Sequence, residues 1–342
     1  MREGRTTGLT VAVTGPTGDI GRAFIRALER APEIERIIGM ARSPFDPATE
    51  GWTKTEYLQG DILDRAAVDP LIKGADVVVH LAFLIFGADE RSREINLQGS
   101  RNVFEATVDA GAERLIYTSS VAAYGFHDDN PEMLHEDVPA RGTPEHYYSA
   151  QKAVVEEMLA NVTGHADVDV YVFRPCIVAG PTALSLIQNI PYVQMSDKIP
   201  DPIRRAMGAM PLLRPVIPDP GIPFQLVHED DVAPALLAAV LGGGSPGAYN
   251  LAGDGDITTS DLARALGWYA LPIPEIAIDA TVTIVSKLPL LPTKASWINA
   301  LRVPVLMDTS KAKRELGWEP RYDSLDTLAA TVQAARSTGL VS

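Results

Sequence analysis

One octapeptide constrains this chain more than any other feature. Thr14-Gly15-Pro16-Thr17-Gly18-Asp19-Ile20-Gly21 follows a short apolar run, Leu9–Thr14, that is β-branched at Thr10, Val11, Val13 and Thr14. It leads into a segment whose apolar residues Ile20, Phe24 and Leu28 recur at a spacing of four. That reads as strand, glycine turn, helix. Glycines in such a turn let backbone N–H groups approach a pyrophosphate at the helix N-terminus. The spacing is G-x-x-G-x-x-G rather than the usual G-x-G-x-x-G. No Lys-Ser/Thr pair follows, which excludes a Walker loop. Taken alone, the triplet is also compatible with a βα turn that binds nothing.

The alternation continues. Strands are expected at Glu35–Ala41, Thr55–Leu58, Asp76–Leu81, Arg114–Ser119 and Asp169–Arg174. Helices are expected at Asp64–Ile72, Ser92–Ala110 and Tyr147–Ala160. In Ser92–Ala110 the apolar residues Ile95, Val103, Phe104 and Val108 keep only partly in phase. Strands alternating with helices give an α/β chain, a doubly wound parallel sheet covered on both faces. Beyond Pro181 the texture changes to a Pro- and Met-rich stretch without a period. A helix at His228–Val240, a strand at Tyr249–Ala252 and helices at Thr259–Gly267 and in Asp308–Pro320 then follow. The expected organisation is a nucleotide-binding core over residues 1–180. A smaller discontinuous substrate lobe takes 181–342, with about 224–252 returning to the core.

Composition narrows the function classes. With 30 Lys+Arg against 44 Asp+Glu the formal charge is −14. Such a surface repels phosphate backbones, so no nucleic-acid partner is expected. The single cysteine, Cys176, allows no intrachain disulfide and no Cys-rich zinc site, and fits a reducing, cytoplasmic location. No apolar run reaches a membrane span and no secretory leader is read. No metal is expected: His127, Asp128, Asp129, His135, Glu136 and Asp137 match no standard ligand spacing. Gly243–Gly247 spells G-x-S-x-G, but it follows an apolar helix rather than a strand and reads as a helix stop.

Three positions carry chemistry. Tyr148 and Lys152 stand four apart, on one face of a helix. A free tyrosine titrates near 10. A neighbouring ammonium, together with an oxidised nicotinamide, would stabilise its phenolate. Ser120 closes an expected strand at the carboxyl edge where doubly wound sheets bind ligands, although serines there also serve as caps. At the end of the second strand stand Ala41 and Arg42, with no carboxylate to take a ribose 2′-hydroxyl. Arg42 suits the 2′-phosphate of NADP and favours NADP over NAD, the alternative being a solvated loop arginine. His80 is assigned to the core.

These segments, taken together, resemble the extended short-chain dehydrogenase/reductase family, also called the NAD-dependent epimerase/dehydratase family. The resemblance rests on TGPTGDIG, GDILD (Gly60–Asp64), VVHLA (Val78–Ala82), NLQGSRN (Asn96–Asn102) and YTSSVAAYG (Tyr117–Gly125). YSAQK (Tyr148–Lys152), RPCIVAGP (Arg174–Pro181), VHEDDVA (Val227–Ala233) and the tail DTSKAKRELGWEP complete it. It implies a Rossmann-like fold, NADP or NAD as cofactor, and Ser120, Tyr148 and Lys152 as catalytic residues. It implies cofactor contacts at Gly15, Thr17, Gly18, Asp19, Ile20, Arg42, Asp61, Ile62, Leu81, Ala82, Phe83, Tyr148, Lys152, Pro175 and Ile177. Asn96 would be a support, and a homodimer would form through the helices bearing Tyr148 and Asn96–Ala110.

Departures from the family pattern select among its reactions. Dehydratases carry an acidic pair where this chain has Val121 and Ala122. Sugar-nucleotide epimerases place an asparagine at the position of Ile177 and an arginine near Ile222–Gln225, where none stands. Arg204, Arg205 or Arg214 remain as substitutes. The lobe residues Met207, Met210, Leu212, Leu213, Val216, Ile217 and Phe224 suit an apolar small-molecule substrate. The expectation is an NAD(P)-dependent carbonyl reductase or alcohol dehydrogenase. A nucleotide-sugar 4-epimerase with tightly held NAD and a non-catalytic NADP-sensing regulator are the alternatives.

Overall fold

Seven parallel strands form the central sheet in the order β10-β6-β5-β4-β1-β2-β3. They are β1 (Leu9–Thr14), β2 (Ile34–Ala41), β3 (Thr55–Gln59), β4 (Val77–His80), β5 (Arg114–Thr118), β6 (Asp169–Pro175) and β10 (Gly247–Leu251). The computed structural model describes residues 8–85, 89–196, 214–274 and 303–341. Strand pairing is in parallel register throughout, for example Val13 beside Gly39 and beside Val79.

Side chains alternate between two cores, as period-two strands require. Val11 and Val13 of β1, Val77 and Val79 of β4 and Ile116 of β5 face one core. Ala12, Val78, Leu115 and Tyr117 face the other. Helix α1 (Asp19–Arg30) covers the first face with Phe24, Ile25 and Leu28, beside a helix bearing Val232 and Leu236. The second face is covered by α2 (Arg65–Ile72), α3 (Ser100–Ala110) and α4 (Tyr147–Thr163). Most of the core is the fold class that the alternation dictated.

Chain order reverses between β1 and β4, so the strand ends diverge there and open a crevice at the carboxyl edge. Into that edge run the loop after β1, Leu81–Leu84 after β4, and Ser119–Ser120 after β5. Helix α3 does not begin cleanly. A short helix, Glu90–Glu94, passes into a π-helical turn, Ile95–Gly99, before α3 starts.

Residues after Gly180 add a third apolar cluster that includes Ile187, Val193, Leu226, Ile257, Leu262 and Leu266. Two small sheets serve it: β7 (Ile177–Ala179) beside β9 (Leu226–His228), and β8 (Val216–Asp219) beside β11 (Tyr269–Pro272). Helices α6 (Thr259–Leu266) and α8 (Ser324–Ser337) line this cluster, whereas α5 (Glu229–Val240) and α7 (Ser310–Leu316) return to the first core, α5 packing on α1. Of the expected lobe residues, Val216, Ile217 and Phe224 are described. Met207, Met210, Leu212, Leu213, Arg204 and Arg205 lie outside the described residues. Among the described residues no helix is long and apolar enough to cross a membrane.

Candidate active site

The glycine loop contains two kinds of glycine. Gly15 has φ +74°, and a Cβ on it would lie 2.9 Å from Ala82 N. A Cβ on Gly21 would lie 2.2 Å from Gly15 O, so α1 rests directly on its own loop. Gly18 is different. It is exposed and a Cβ would meet nothing nearer than Gly15 O at 3.6 Å. Gly18 is also the N-cap of α1, and no side chain caps that end. Other helices are capped by a side chain, α2 by Asp64 and α8 by Asp323. The amides of the first turn of α1 are therefore left for an external acceptor, with the helix dipole behind them. Thr17 and Ile20 are half-buried around this point. The Asp19 carboxylate turns away from the loop to accept from Ser185 Oγ at 2.8 Å.

Tyr148 and Lys152 occupy the first two turns of α4, whose N-cap is His146. Tyr148 is half-buried, with the Phe83 ring edge-on at 5.6 Å. Burial pushes its phenol up to about 12, against a hydrogen bond with Ser120 that pulls it down. Ser120 itself accepts from Ala122 N at 3.2 Å and caps the short turn Val121–Tyr124. Lys152 is 2% exposed. Its Nζ donates to Thr118 O at 2.9 Å and to Tyr117 Oη at 3.3 Å, and sits 3.7 Å from the centre of the Phe83 ring. Burial pulls its ammonium down to about 7, opposed by the charge of Glu156.

The sequence expectation joins Lys152 with an oxidised nicotinamide in lowering the titration of Tyr148; in the protein alone burial outweighs the hydrogen bond with Ser120. The ammonium is 5.7 Å from the Tyr148 ring and is engaged by β5. Burial thus keeps Tyr148 a phenol in the protein alone. Val121 and Ala122 are buried beside Ser120, 8% and 5% exposed, and present no acid.

A buried relay joins the two halves of the site. Ala82 N donates to Thr14 Oγ1, which lies 2.7 Å from His80 Nδ1. His80 Nε2 lies 2.9 Å from Ser100 Oγ, whose proton goes to Asn96 O at 2.6 Å. Since Ser100 spends its proton on Asn96, His80 donates from Nε2 and accepts at Nδ1 from Thr14. That assignment needs a neutral ring, and burial holds the imidazole down to about 3. Asn96 Oδ1 accepts from Leu84 N, and its Nδ2 donates to Leu84 O and to Gln151 Oε1. Gln151 precedes Lys152, so β1, β4, the π-helical turn and α4 are fixed to one another. The sequence named His80 and Asn96 but not this connection; Gln151 carried no signal.

The remaining candidates surround the crevice. Arg42 is exposed at the end of β2, and its carbonyl is held by Gln59 Nε2 at 3.0 Å. Asp61 accepts from Leu63 N, and Ile62 is buried against Gly99, with Asn102 Nδ2 on its carbonyl. Leu81, Ala82 and Phe83 are half-buried along the edge between β1 and α4. Pro175 is buried at the end of β6, and Ile177 is 38% exposed. Cys176 is buried and its thiol is pushed up by burial, so it is unreactive as a thiolate.

Comparison with known proteins places the chain. The uncharacterized protein y4nG of Sinorhizobium fredii is 26% identical over 332 residues, covering 94% of this chain and 77% of that protein. Human 3 beta-hydroxysteroid dehydrogenase type 7 is 31% identical over 166 residues, 46% of this chain and 45% of the relative's length. The chain therefore matches less than half of that enzyme. UDP-glucuronic acid 4-epimerase from Bacillus cereus shares the fold with a TM-score of 0.70 at 19% identity, covering 96% of this chain and all of that one. Residues 11–252 match the model of the NAD dependent epimerase/dehydratase family. The chain belongs to that family.

Proposed function

We propose that the protein is an NAD(P)-linked oxidoreductase that interconverts an alcohol and a ketone or aldehyde on a largely apolar small molecule. The observation that carries this is the constellation at the crevice. A protonated Tyr148 is hydrogen-bonded with Ser120, a buried Lys152 lies behind it, and the two residues that follow Ser120, Val121 and Ala122, are apolar. The residues fit the cofactor: the first turn of α1 is uncapped and Gly18 opens to solvent beside it. When bound, the nicotinamide supplies or accepts the hydride.

In the reductive direction Ser120 donates to the substrate carbonyl oxygen and holds it against Tyr148. Tyr148 gives its proton to that oxygen as the alkoxide forms. Lys152 would hydrogen-bond the nicotinamide ribose, and its positive charge would favour the phenolate left on Tyr148 after proton transfer. The α1 amides with Gly15, Thr17, Gly18, Asp19 N and Ile20 cradle the pyrophosphate. Asp61 and Ile62 would flank the adenine, Leu81–Phe83 would line the cleft, and Pro175 and Ile177 would contact the cofactor. Arg42 would take a 2′-phosphate, and on this reading NADP is the preferred cofactor. Residues beyond Gly180 supply most of the substrate side.

The partial likeness to a hydroxysteroid dehydrogenase supports a secondary alcohol on an apolar framework. A nucleotide-sugar 4-epimerase is the competing reading, favoured by the shared fold with the Bacillus cereus enzyme. Against it, a diphosphate buried without donors is costly. Ile177 is apolar, and Ile222–Gln225 contains no arginine. The test is to assay purified protein for NADPH- and NADH-dependent reduction of steroid-sized ketones and, in parallel, for interconversion of UDP-sugars. Ketone turnover with freely exchanging cofactor is expected. UDP-sugar epimerisation on firmly retained NAD would replace this reading.

A further inference from the structure

Behind the Tyr148–Lys152 pair lies a buried ion pair that the reaction described above does not use. Glu156 follows Lys152 by one helical turn, so Tyr148, Lys152 and Glu156 share a face of α4. Its carboxylate accepts from Ser119 Oγ at 2.5 Å, from Arg174 Nε at 3.1 Å and from Arg174 Nη2 at 2.6 Å. The two side chains are 10% and 7% exposed. Arg174 comes from β6, directly before Pro175, and its guanidinium lies 4.5 Å from the centre of the Tyr124 ring. One carboxylate thus ties α4 to the strand end that carries Ser120 and to the strand that leads into Ile177.

Such a pair contributes little net stability, because desolvation opposes the attraction. Its charge matters more to Lys152. The direct contacts of Lys152 are a carbonyl, a phenol and an aromatic face, none of them an anion. Tyr117 from β5 and Tyr148 from α4 lie beside it, His80 from β4 and Glu156 from α4 interact with its charge, and Arg174 from β6 stands behind Glu156. His80 is neutral, and Tyr117 is held protonated by burial. Tyr148 is protonated and Arg174 is a cation. Among these groups Glu156 carries the negative charge. The fork of Arg174 and the Ser119 hydroxyl hold its carboxylate in place.

We propose that Glu156 is a positioning residue: a buried carboxylate, clamped by Arg174 and Ser119, that keeps Lys152 an ammonium and in register with Tyr148. Its consequence for proton transfer rests on the function proposed above, whereas its effect on the charge of Lys152 does not.

The experiment reads that charge directly. Protein labelled with 13C-lysine is titrated by NMR, and the Lys152 signal is assigned with Lys152→Arg. Glu156→Gln keeps the shape and accepts hydrogen bonds but removes the anion and leaves Arg174 to repel Lys152. Its Lys152 midpoint is expected to fall by about one pH unit or more, a tenfold change in the constant. The double variant Glu156→Met/Arg174→Met replaces the pair by apolar groups that buried sites tolerate. It serves if the single variant does not fold, and the midpoint should fall there too. An unmoved midpoint in either folded variant overturns the proposal. In the ketone assay kcat should fall with the ammonium, and its pH profile should move with the NMR midpoint. A Tyr148→Phe enzyme that stayed active would sink the proposed function and leave the Lys152 result standing.

Discussion

Gly18→Ala and Gly21→Ala should fail in different ways, although the two glycines stand three residues apart in one turn. A Cβ on Gly21 would lie 2.2 Å from Gly15 O, 2.7 Å from Pro16 C and 2.8 Å from Pro16 O, all backbone atoms that cannot rotate aside. Loop and helix must separate. Forcing a carbon into such a contact costs about 1–3 kcal/mol, which at about 2 °C per kcal/mol for a chain of this size lowers Tm by about 2–6 °C. This loss needs no cofactor. A Cβ on Gly18 meets only Gly15 O, at 3.6 Å, an ordinary contact, and the residue's φ of −79° suits alanine. The free protein should melt like the wild type. The new methyl would instead stand where a pyrophosphate approaches the uncapped amides of α1. Losing one charge-assisted hydrogen bond there, about 1.5–3 kcal/mol, weakens binding by about tenfold to a hundredfold. Scanning calorimetry without ligand and titration calorimetry with NADP⁺ and NAD⁺ separate the two effects. A Gly21→Ala protein that melts with the wild type would refute the packing argument. A Gly18→Ala protein with undiminished affinity would remove the pyrophosphate from the end of α1.

Further outcomes follow from charge. Lys152 titrates near 7 when folded against an ordinary 10.5, so across that window the unfolded chain holds the extra proton and stability rises with pH. In urea unfolding, Lys152→Met should therefore stabilise the free protein most below pH 7, and its advantage should shrink as the pH climbs; a pH-independent difference would contradict the burial of a charged amine. His80, held near 3 against 6.5, makes the wild type lose stability as the pH falls through that interval, and a His80→Phe variant should lack this part of the acid dependence. Arg42→Ala should weaken NADP⁺ by about tenfold and leave NAD⁺ nearly unchanged, since a bidentate arginine on a phosphate is the stronger kind of polar contact; equal losses would make Arg42 a bystander.

The parts of this molecule legible in the sequence are those set by local chemistry. β-branched runs gave the sheet strands, and the turn after Thr14 and the Tyr148–Lys152 spacing gave the centre of the proposed site. The imperfect phase of Ile95, Val103, Phe104 and Val108 had a physical cause: the π-helical turn at Ile95–Gly99 widens the helix and shifts the later residues around its axis. The bond from Ser100 Oγ to Asn96 O in that turn is one that no periodicity count reveals. Helix α8 went unread although Leu328, Val332 and Ala335 keep helical spacing and are buried. The Glu156–Arg174 pair joins a helix to a strand eighteen positions on, and the His80 relay joins β1, β4 and α3; such contacts exist only once the sheet has assembled. The raised titration of Tyr148 likewise comes from burial, which a sequence spacing does not report.

The central claim is that Tyr148 passes a proton to substrate beside a bound nicotinamide. The most direct measurement compares wild type and Tyr148→Phe for NADPH-dependent turnover of a responsive ketone, with NADP⁺ affinity measured on the same preparations. The account predicts that kcat falls by about 10²–10⁴-fold, the share usual for a positioned general acid, while NADP⁺ affinity stays within about twofold. A Tyr148→Phe enzyme that turned over at nearly the wild-type rate would contradict it.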